Sequence, residues 1–452
     1  SHTCACMAGM RQRVQPLAAL CLLFVGLQFV FLAGVLAAEA IPDRRVADEL
    51  ATAVADGRLN EVPASQRGAG NGLDDFTDCV VLTMGLGDPT DSHLAETAIT
   101  SPTLWRCELA VPALEQYRAS GGLDAENEYF WYWHGYTPLT RPLLAFVGLD
   151  AVPVVFFALL LGATAALAGV LARGLGWGGP VLLLAPLVLT SDLHELPLKL
   201  PAALSMAVAL AGGAAAWLAI DRWRSELVLA GVGIAAGGLY VYVDLLTNPP
   251  LAWLATIGLA MVAAYRVGWD RSRTAMVGGI AAASWLVGYG ASWVVKWFLA
   301  ALVIGFSEAL DAVRDQIGFR LDGEHAEVDE SIGSAMDANF DTWFAEPLFG
   351  RAGLVLLAAA LGVACVAAYR RSGTSALKWL GLLALPSFIP LIWLEVLSNH
   401  SQIHQHFTYR ALPFASGYLL LVVYAVIRIE AQQSTHGGQS VQRSEAGRSV
   451  SP

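Results

Sequence analysis

Three aspartates stand close together in the segment DDFTD, at Asp74, Asp75 and Asp78. Two adjacent carboxylates repel each other, so one of them tends to stay protonated longer and can act as a general base near neutral pH. The three carboxylates also offer the oxygen ligands that a divalent cation prefers. An Asp-rich turn or a helix cap is the structural alternative. We predict that the motif is catalytic, with a divalent cation left open as a cofactor.

The densest polar cluster is SNHSQIHQHFTYR, residues 398–410. His400 and His404 are four residues apart and share a face of a helix, a spacing that can chelate a transition metal. A clasp for phosphate or pyrophosphate fits the segment better, because Arg410 presents a planar fork to such anions. A loop that merely tolerates histidine is the structural alternative. The residues predicted to bind substrate here are Asn399, His400, His404, Tyr409 and Arg410.

A block of aromatic residues precedes the polar sequence HGYTPLTR. Aromatic side chains at the start of a membrane span usually form an interfacial belt, which explains the block itself. The belt does not explain His134, Tyr136 and Arg141. An arginine on the outer face opposes the usual charge bias and calls for an anion, of which a lipid phosphate is one. We predict that these three residues bind substrate.

Ionisable side chains also occur at the ends of apolar segments, where a charge in hydrocarbon is costly and normally faces a polar cavity. Each of them could instead belong to a structural ion pair. Their similar depth near the outer surface favours a single cavity that opens outward. The residues are Asp192, His194 and Glu195 in SDLHE, Asp244 in DLLTNPP, Lys296 and Glu395.

The composition requires these residues to be positioned by membrane helices. The chain has 452 residues, of which 56% are hydrophobic and only 14% are charged, and its mean hydropathy is +0.54. These values lie far from those of soluble globular proteins. The net charge of -11 is concentrated in two loops, and no basic patch suited to nucleic acid is present. We predict an all-α polytopic membrane protein whose partners include the lipid bilayer and exclude nucleic acid.

About ten apolar stretches approach the roughly 20 residues that a spanning helix needs. The third is short and rich in proline, so that a broken or re-entrant helix is as good an interpretation as a complete span. The predicted spans are 15–37, 150–172, 177–191, 201–220, 226–243, 251–267, 274–304, 352–369, 376–397 and 411–428.

Arg and Lys clusters between these stretches mark the cytoplasmic side by the positive-inside rule. They alternate with the polar segments described above, so that nearly every polar motif falls outside the plasma membrane, which the resemblance given below implies to be bacterial. The predicted organisation is a cytoplasmic N-terminus at 1–14, a first helix retained as a signal anchor at 15–37, a large outer loop at 38–141, helices two to seven at 142–304, an acidic outer loop at 305–349, helices eight to ten at 350–428 and a disordered cytoplasmic tail at 429–452.

Cys79 and Cys107 both lie in the large outer loop. Disulfides form and persist in an oxidising exterior, so these two residues can pair there. Two buried thiols are the alternative.

A retained first helix, a large outer loop with an acidic motif, an aromatic-rich return to the membrane and many further spans together resemble the GT-C class of membrane glycosyltransferases. The resemblance implies a polyprenyl-phosphate-linked sugar donor, an acceptor outside the cytoplasm, and a general base at Asp74, Asp75 or Asp78. In that class the acidic residue usually lies just beyond the first helix, whereas Asp74 is more than thirty residues past Ala37. The segments YWHGY, GYGASWVVKW, DLLTNPP and NHSQIH are also similar to a group of multi-pass proteins of Gram-positive bacteria to which no activity is attached.

The resemblance implies that a carboxylate deprotonates the acceptor and that cations stabilise the departing phosphate. The candidates for that second role are Arg141, Lys296, His404 and Arg410. A transporter or flippase is one alternative, with ionisable residues along a translocation path. A membrane acyltransferase or phosphotransferase that uses His194 or His404 as base is the other.

Overall fold

The structure is a computed structural model, and it is almost entirely helical. Besides a run of scattered positions between 355 and 370, it describes residues 2–60, 77–87, 93–123, 127–191, 193, 200–322, 328–345 and 373–448.

Seven helices in this part of the chain are long and apolar enough to cross a membrane. A helix rises 1.5 Å per residue, so that about 20 residues match the roughly 30 Å of bilayer hydrocarbon. The protein is therefore a candidate multi-pass membrane protein, as the composition predicted. The seven segments are Gln15–Glu39, Ala151–Leu175, Ala202–Asp221, Glu226–Val243, Arg271–Ile304, Thr374–Val396 and Gln405–Ala431.

The other three predicted spans differ from these seven. The stretch at 177–191 forms a helix of only 13 residues, Gly178–Thr190, which is about 20 Å long. The stretch at 251–267 forms the helix Pro249–Arg266, which is buried over nearly its whole length and lies at the centre of the bundle. Of the stretch at 352–369, only scattered positions are among the described residues, and no continuous helix bounds are assigned to it.

In chain order the helices of the first half are α1 His2–Glu39, α2 Asp43–Ala55, α3 Thr77–Thr83, α4 Leu94–Thr100, α5 Cys107–Ser120, α6 Thr137–Phe146, α7 Ala151–Leu175, α8 Gly178–Thr190 and α9 Leu200–Asp221. Those of the second half are α10 Glu226–Val243, α11 Pro249–Arg266, α12 Arg271–Ile304, α13 Phe306–Asp322, α14 Ser334–Ala345, α15 Thr374–Ala384, α16 Ile389–Val396, α17 Ser398–Ile403, α18 Gln405–Thr408 and α19 Ala411–Arg448, with a 3-10 turn at Leu385–Phe388.

Helices α9, α10, α11 and α12 pack closely because small residues lie where they cross. A Cβ atom on Gly237 of α10 would collide with the carbonyl oxygen of Trp285 on α12, and one on Gly288 would collide with the carbonyl of Ile234. Glycine at these positions lets the two backbones come into direct contact. The bundle core is thus formed without wide spaces between helices.

The described parts of the loop at 38–141, which we predicted to lie outside, form a small helical layer on one end of the bundle. This layer contains α2 and α5, with a two-residue strand Pro102–Thr103 before α5 that pairs with Asn127–Glu128. Cys79 and Cys107 form a disulfide that ties α3 to α5. Of the two alternatives that the sequence left open for these cysteines, the structure contains the disulfide.

The last helix, α19, ends at Arg448 and includes much of the polar segment for which we predicted disorder. Helix α12 has 34 residues and is about 50 Å long, which exceeds the bilayer hydrocarbon. Its C-terminal part therefore projects towards the layer formed by the outer loops.

Candidate functional site

The polar segment that contains Asp78 contacts the beginning of α9. The Asp78 side chain is fully buried, and its carboxylate accepts a hydrogen bond of 2.7 Å from the backbone N–H of Leu200. A carboxylate at the N-terminus of a helix satisfies a free N–H group and interacts favourably with the helix dipole. This contact gives Asp78 a structural role that fixes α3 against α9. Asp74 and Asp75 lie outside the described residues.

The segment DLLTNPP forms a tight turn between α10 and α11. Asp244 is buried, and its carboxylate accepts hydrogen bonds from the backbone N–H of Thr247, at 3.1 and 3.0 Å, and from the Thr247 hydroxyl. Burial raises the pKa of Asp244 to about 7, although the Thr247 hydrogen bonds oppose the shift. Ser205 of α9 approaches the Thr247 hydroxyl at 3.0 Å. This contact attaches the segment between α10 and α11 to α9, about one and a half helical turns after α9 begins.

The histidine-rich segment lies against the same turn. Asn248 donates a hydrogen bond of 2.8 Å to the carbonyl of Phe407, and the Nε2 atom of His400 lies 2.8 Å from the carbonyl oxygen of Leu246. The guanidinium Nε of Arg410 donates to the carbonyl of Ser191 at 3.0 Å. The segments at 191, 244–250 and 398–410 are therefore in direct contact.

Arg410 is the predicted phosphate ligand whose surroundings suit that role best. Its side chain is buried, and its Nη2 atom has no hydrogen-bond partner among the described residues. The same is true of the Oδ1 atom of Asn248. Both residues line a narrow cavity of about 10 Å³ together with Ser205 and Thr247. That volume holds about one water molecule, so the described walls enclose a polar centre rather than a sugar-sized pocket.

Three predicted residues, Asp192, His194 and Glu195, lie outside the described part of the chain. In the sequence they fall between Ser191, which contacts Arg410, and Leu200, which contacts Asp78.

The other predicted residues of the last polar segment have packing partners. Asn399 donates 2.7 Å to the carbonyl of Phe319. The rings of His404 and Phe407 stack with their centres 5.0 Å apart, and Tyr409 is buried in a cluster with Leu394 and Trp343. These contacts attach the segment to the second outer loop and to α16.

Glu395 also has a structural role. Its two carboxylate oxygens accept hydrogen bonds of 2.9 Å from the backbone N–H groups of Gly333 and Met336. Because these groups lie at the N-terminus of α14, the carboxylate caps that helix. Glu395 thus holds the second outer loop on the bundle.

The segment after the aromatic block contacts the bundle through Gly135, whose N–H donates a hydrogen bond of 2.6 Å to the carbonyl of Tyr242 at the end of α10. His134 lies 2.5 Å from the carbonyl of Tyr129 through Nε2 and 2.7 Å from the Tyr136 hydroxyl through Nδ1. A carbonyl can only accept, so Nε2 carries the proton and Nδ1 accepts from Tyr136. Burial, with a smaller effect of the Lys296 charge, lowers the pKa of His134 to about 3. His134 is a neutral, fixed ring.

Arg141 binds protein groups in place of the expected lipid phosphate. Its guanidinium donates to the carbonyls of Ala38, Met84 and Ile41 at 2.9, 3.3 and 2.9 Å. It also forms ion pairs with Glu39, at 3.5 Å, and with Asp43. Every arm of the guanidinium has at least one partner, and the side chain is buried. The carboxylates of Glu39 and Asp43 therefore take the place of the anionic ligand that we expected at Arg141.

Lys296 is buried on α12 and donates 2.7 Å to the carbonyl of Ile99 on α4. Its ammonium lies 6.0 Å from the centre of the Trp133 ring, within the range of a cation–π contact. Lys296 therefore joins α12 to the outer-loop layer.

A cleft of about 920 Å³ lies beyond the end of α1, within the outer-loop layer. Its lining includes the carboxylates of Glu39, Asp43 and Asp48 and the ring of Tyr117, which donates 2.9 Å to Asp48. The sequence interpretation missed these residues. Glu39 is the last residue of the first apolar helix, and an acidic residue at the outer end of a span was the available signal.

No group of three or more His, Cys, Asp or Glu side chains suited to hold a metal ion occurs among the residues that the structure describes. His400 and His404 do lie together, with ring centres 4.7 Å apart, but on α17 and in the turn that follows it.

No family model, no curated protein and no solved structure matches this chain.

Proposed function

We propose that the protein is a multi-pass membrane glycosyltransferase of the GT-C type that transfers a sugar from a polyprenyl-phosphate carrier to an acceptor outside the cytoplasm. The observation that carries the proposal is the meeting of distant polar segments at one end of the helical bundle. Direct hydrogen bonds link the segment at 400–410 to Ser191 and to the turn at 244–248. Gly135 bonds to Tyr242, just before that turn, and Asp78 bonds to Leu200 at the start of α9, which also contacts the turn. Membrane proteins retain such costly polar groups at functional sites.

The proposed orientation has ten spans, with both termini in the cytoplasm and the polar end outside a bacterial plasma membrane. The arginine clusters between spans support it through the positive-inside rule. The disulfide between Cys79 and Cys107 supports it independently, because disulfides persist in oxidising compartments. Reporter fusions at positions 225, 270 and 372 should signal inside, and fusions at 320 and 402 should signal outside. A cytoplasmic signal at 402 would invert the proposed sidedness.

In the proposed reaction Asp74 or Asp75 takes the proton of the acceptor hydroxyl, whose oxygen then attacks the anomeric carbon of the donor. The bond between that carbon and the phosphate oxygen breaks, and its electron pair leaves with the polyprenyl phosphate. The developing negative charge requires a cation close to it. Arg410 suits this role better than Arg141, because Arg410 has a buried nitrogen without a partner among the described residues, whereas Arg141 is already neutralised by carboxylates.

The test uses purified protein in lipid nanodiscs, supplied with polyprenyl-phosphate sugars, and measures release of polyprenyl phosphate. Asp74→Asn or Asp75→Asn, whichever removes the base, should abolish or strongly reduce release, and the double variant should do so in either case. Asp78→Asn is the matched control, since an amide oxygen still accepts the hydrogen bond from Leu200. Release at wild-type rates from the Asp74 and Asp75 double variant would rule out the proposed base.

Arg410→Gln should reduce release through loss of charge on the phosphate, typically by 10²–10³-fold for a lost transition-state donor. Arg118→Gln is its control, because Arg118 is exposed on the outer-loop layer. Absence of release by the wild-type protein with every donor would remove the glycosyltransferase assignment.

A further inference from the structure

An apolar slot of about 190 Å³ lies between α12, α13 and the end of α16. It is separate from the polar cavity at Arg410 but shares the turn after α10 as a wall. Its lining consists mainly of aromatic and aliphatic side chains: Trp131, Tyr132, Leu246, Trp293, Trp297, Val313, Ile317, Leu321, Trp393 and Leu397, together with Gln316 and Arg320.

Two of the tryptophans are held in fixed orientations. The indole N–H groups of Trp293 and Trp297 both donate to the carbonyl of Trp131, at 2.6 and 3.1 Å. Because these polar atoms are satisfied by the protein, the indole rings can present carbon surfaces to the slot. Trp293 also stacks on Tyr132, with the ring centres 5.8 Å apart. The walls are therefore suited to a hydrocarbon and are preorganised for it.

One wall of the slot carries polar groups. The hydroxyl of Tyr132 is buried and has no hydrogen-bond partner among the described residues. The guanidinium of Arg320 lies 5.8 Å from the centre of the same ring. A buried hydroxyl without a partner is costly, and a ligand oxygen could satisfy it.

The neutral side chain of His400, a hydrogen-bond partner of Arg320, leaves the charge of that arginine in place. The Nη1 atom of Arg320 donates 3.0 Å to Nδ1 of His400, whose Nε2–H donates to Leu246. Burial, with the nearby charges of His404 and Arg320, lowers the pKa of His400 well below its usual range. The imidazole is therefore neutral, and it does not cancel the positive charge at the slot.

The mouth of the slot lies on a surface that continues the lipid-facing side of α12. Ile317 and Leu321 are 44% and 40% exposed, and Phe306 and Leu310 extend the same apolar stripe towards the start of α13. Phe306 contacts Phe298 of α12, with ring centres 6.0 Å apart. An amphipathic helix next to a span, with an exposed apolar stripe, lies in the membrane interface.

We propose that this slot binds the hydrocarbon chain of a membrane lipid that carries a phosphate headgroup, with the headgroup at Arg320 and the Tyr132 hydroxyl. The chain enters sideways from the bilayer between Ile317 and Leu321. Arg matches phosphate geometry, and aromatic walls match the chain. Thr247, at the polar centre, directly follows Leu246 of the slot wall. The further assignment of this lipid as the sugar carrier rests on the proposed function.

The experiment is photo-crosslinking in nanodiscs, followed by peptide mapping. The probes are phosphatidylglycerol and polyprenyl phosphate that carry a diazirine on the chain, with diazirine phosphatidylcholine as the zwitterionic comparison. Crosslinks should concentrate on the slot residues Trp297 and Ile317. Ile317→Trp, which fills the slot, should reduce slot labelling at least about fivefold through lost apolar burial. Leu310→Trp is the matched control on the same exposed stripe and should leave it unchanged.

The headgroup is tested by charge. Arg320→Gln should remove the preference of the slot for the phosphate lipids over phosphatidylcholine, and Arg314→Gln, an exposed arginine on the same helix, should retain it. Labelling of Leu310 as strong as that of the slot, unaffected by Ile317→Trp, would overturn the proposal, because it would reflect ordinary bilayer contact.

The two probes identify the source of the lipid. Preferential labelling by polyprenyl phosphate supports the slot as the carrier site, and preferential labelling by phosphatidylglycerol supports it as a site for a bilayer phospholipid. Labelling needs no sugar transfer, so the two proposals fail separately. Slot labelling without transfer from any donor would support the lipid site and refute the glycosyltransferase activity. Transfer without slot labelling would support the glycosyltransferase activity and refute the lipid site.

Discussion

Arg141→Met tests whether this buried arginine supports the fold or binds a ligand. The guanidinium pairs with Glu39 and Asp43 and donates to three carbonyl groups. The side chains of Arg141 and Glu39 are only 1% and 6% exposed, so that removal of the cation leaves a carboxylate buried without its charge partner. Breaking one partner of a buried ion pair typically costs about 3–5 kcal/mol. We expect the broken ion pair alone to lower the free energy of unfolding by that amount.

The lost carbonyl hydrogen bonds add to this cost, at about 1 kcal/mol each before relaxation. They do not add fully, because all of them belong to one network. Combining Glu39→Gln with Arg141→Met removes the unpaired carboxylate and should recover part of the loss. Arg141→Lys keeps the charge but not the planar fork, and its cost should lie between those of the wild type and Arg141→Met.

The assay is equilibrium unfolding of the detergent-solubilised protein in mixed micelles with increasing SDS, followed by tryptophan fluorescence. Arg118→Met is the control, because Arg118 lines the cleft that also contains Glu39 and Asp43 but is exposed. A free energy of unfolding for Arg141→Met within about 0.5 kcal/mol of wild type would refute the structural role. If Arg141→Met kept wild-type stability but lost lipid binding, Arg141 would be a phosphate ligand.

Three further outcomes are expected from the same unfolding assay. Asp78→Ala should cost about 1–2 kcal/mol, since it removes the cap from α9, whereas Asp78→Asn should cost much less; equal losses would contradict the cap. Replacing Cys79 and Cys107 by serine should cost about 3–4 kcal/mol, from loop closure over a separation of 28 residues, and a reductant should destabilise only the wild type. Because the pKa of His134 falls to about 3 in the folded protein, the native state binds fewer protons than the unfolded state, and stability should be complete above about pH 6.5 and decrease as pH falls towards 3 by up to about 1.4 kcal/mol per pH unit. His134→Gln should flatten that decrease, and an unchanged slope would mean that other groups cause it.

Much of the helical framework followed from local apolar composition. Long runs such as 15–37 and 150–172 must satisfy their own backbone groups, and a helix does so within one segment. The same rule could not distinguish a lipid-facing span from a central helix. Pro249–Arg266 is surrounded by other helices on nearly every side, and that arrangement depends on neighbours far away in the sequence.

The candidate site was predictable in its location but not in its chemistry. Polar segments at the outer ends of spans were expected to lie together, and those at 191, 244–248 and 400–410 are in contact. The roles of Glu395 and Asp78 were not predictable, because both cap helices that begin more than fifty residues away. A carboxylate has the same appearance in a sequence whether it binds a substrate or a helix terminus.

The sequence by itself determined that this is a helical, membrane-type chain, that its charges alternate between loops, and that Cys79 and Cys107 share one loop. These properties depend on composition and on short-range spacing. Only the tertiary structure decided which partner each polar side chain takes. Arg141 finds its anions in Glu39 and Asp43, about a hundred residues earlier, because a buried charge is stable only beside an opposite charge. The slot beside Arg320 likewise exists only because α12, α13 and α16 fold against one another.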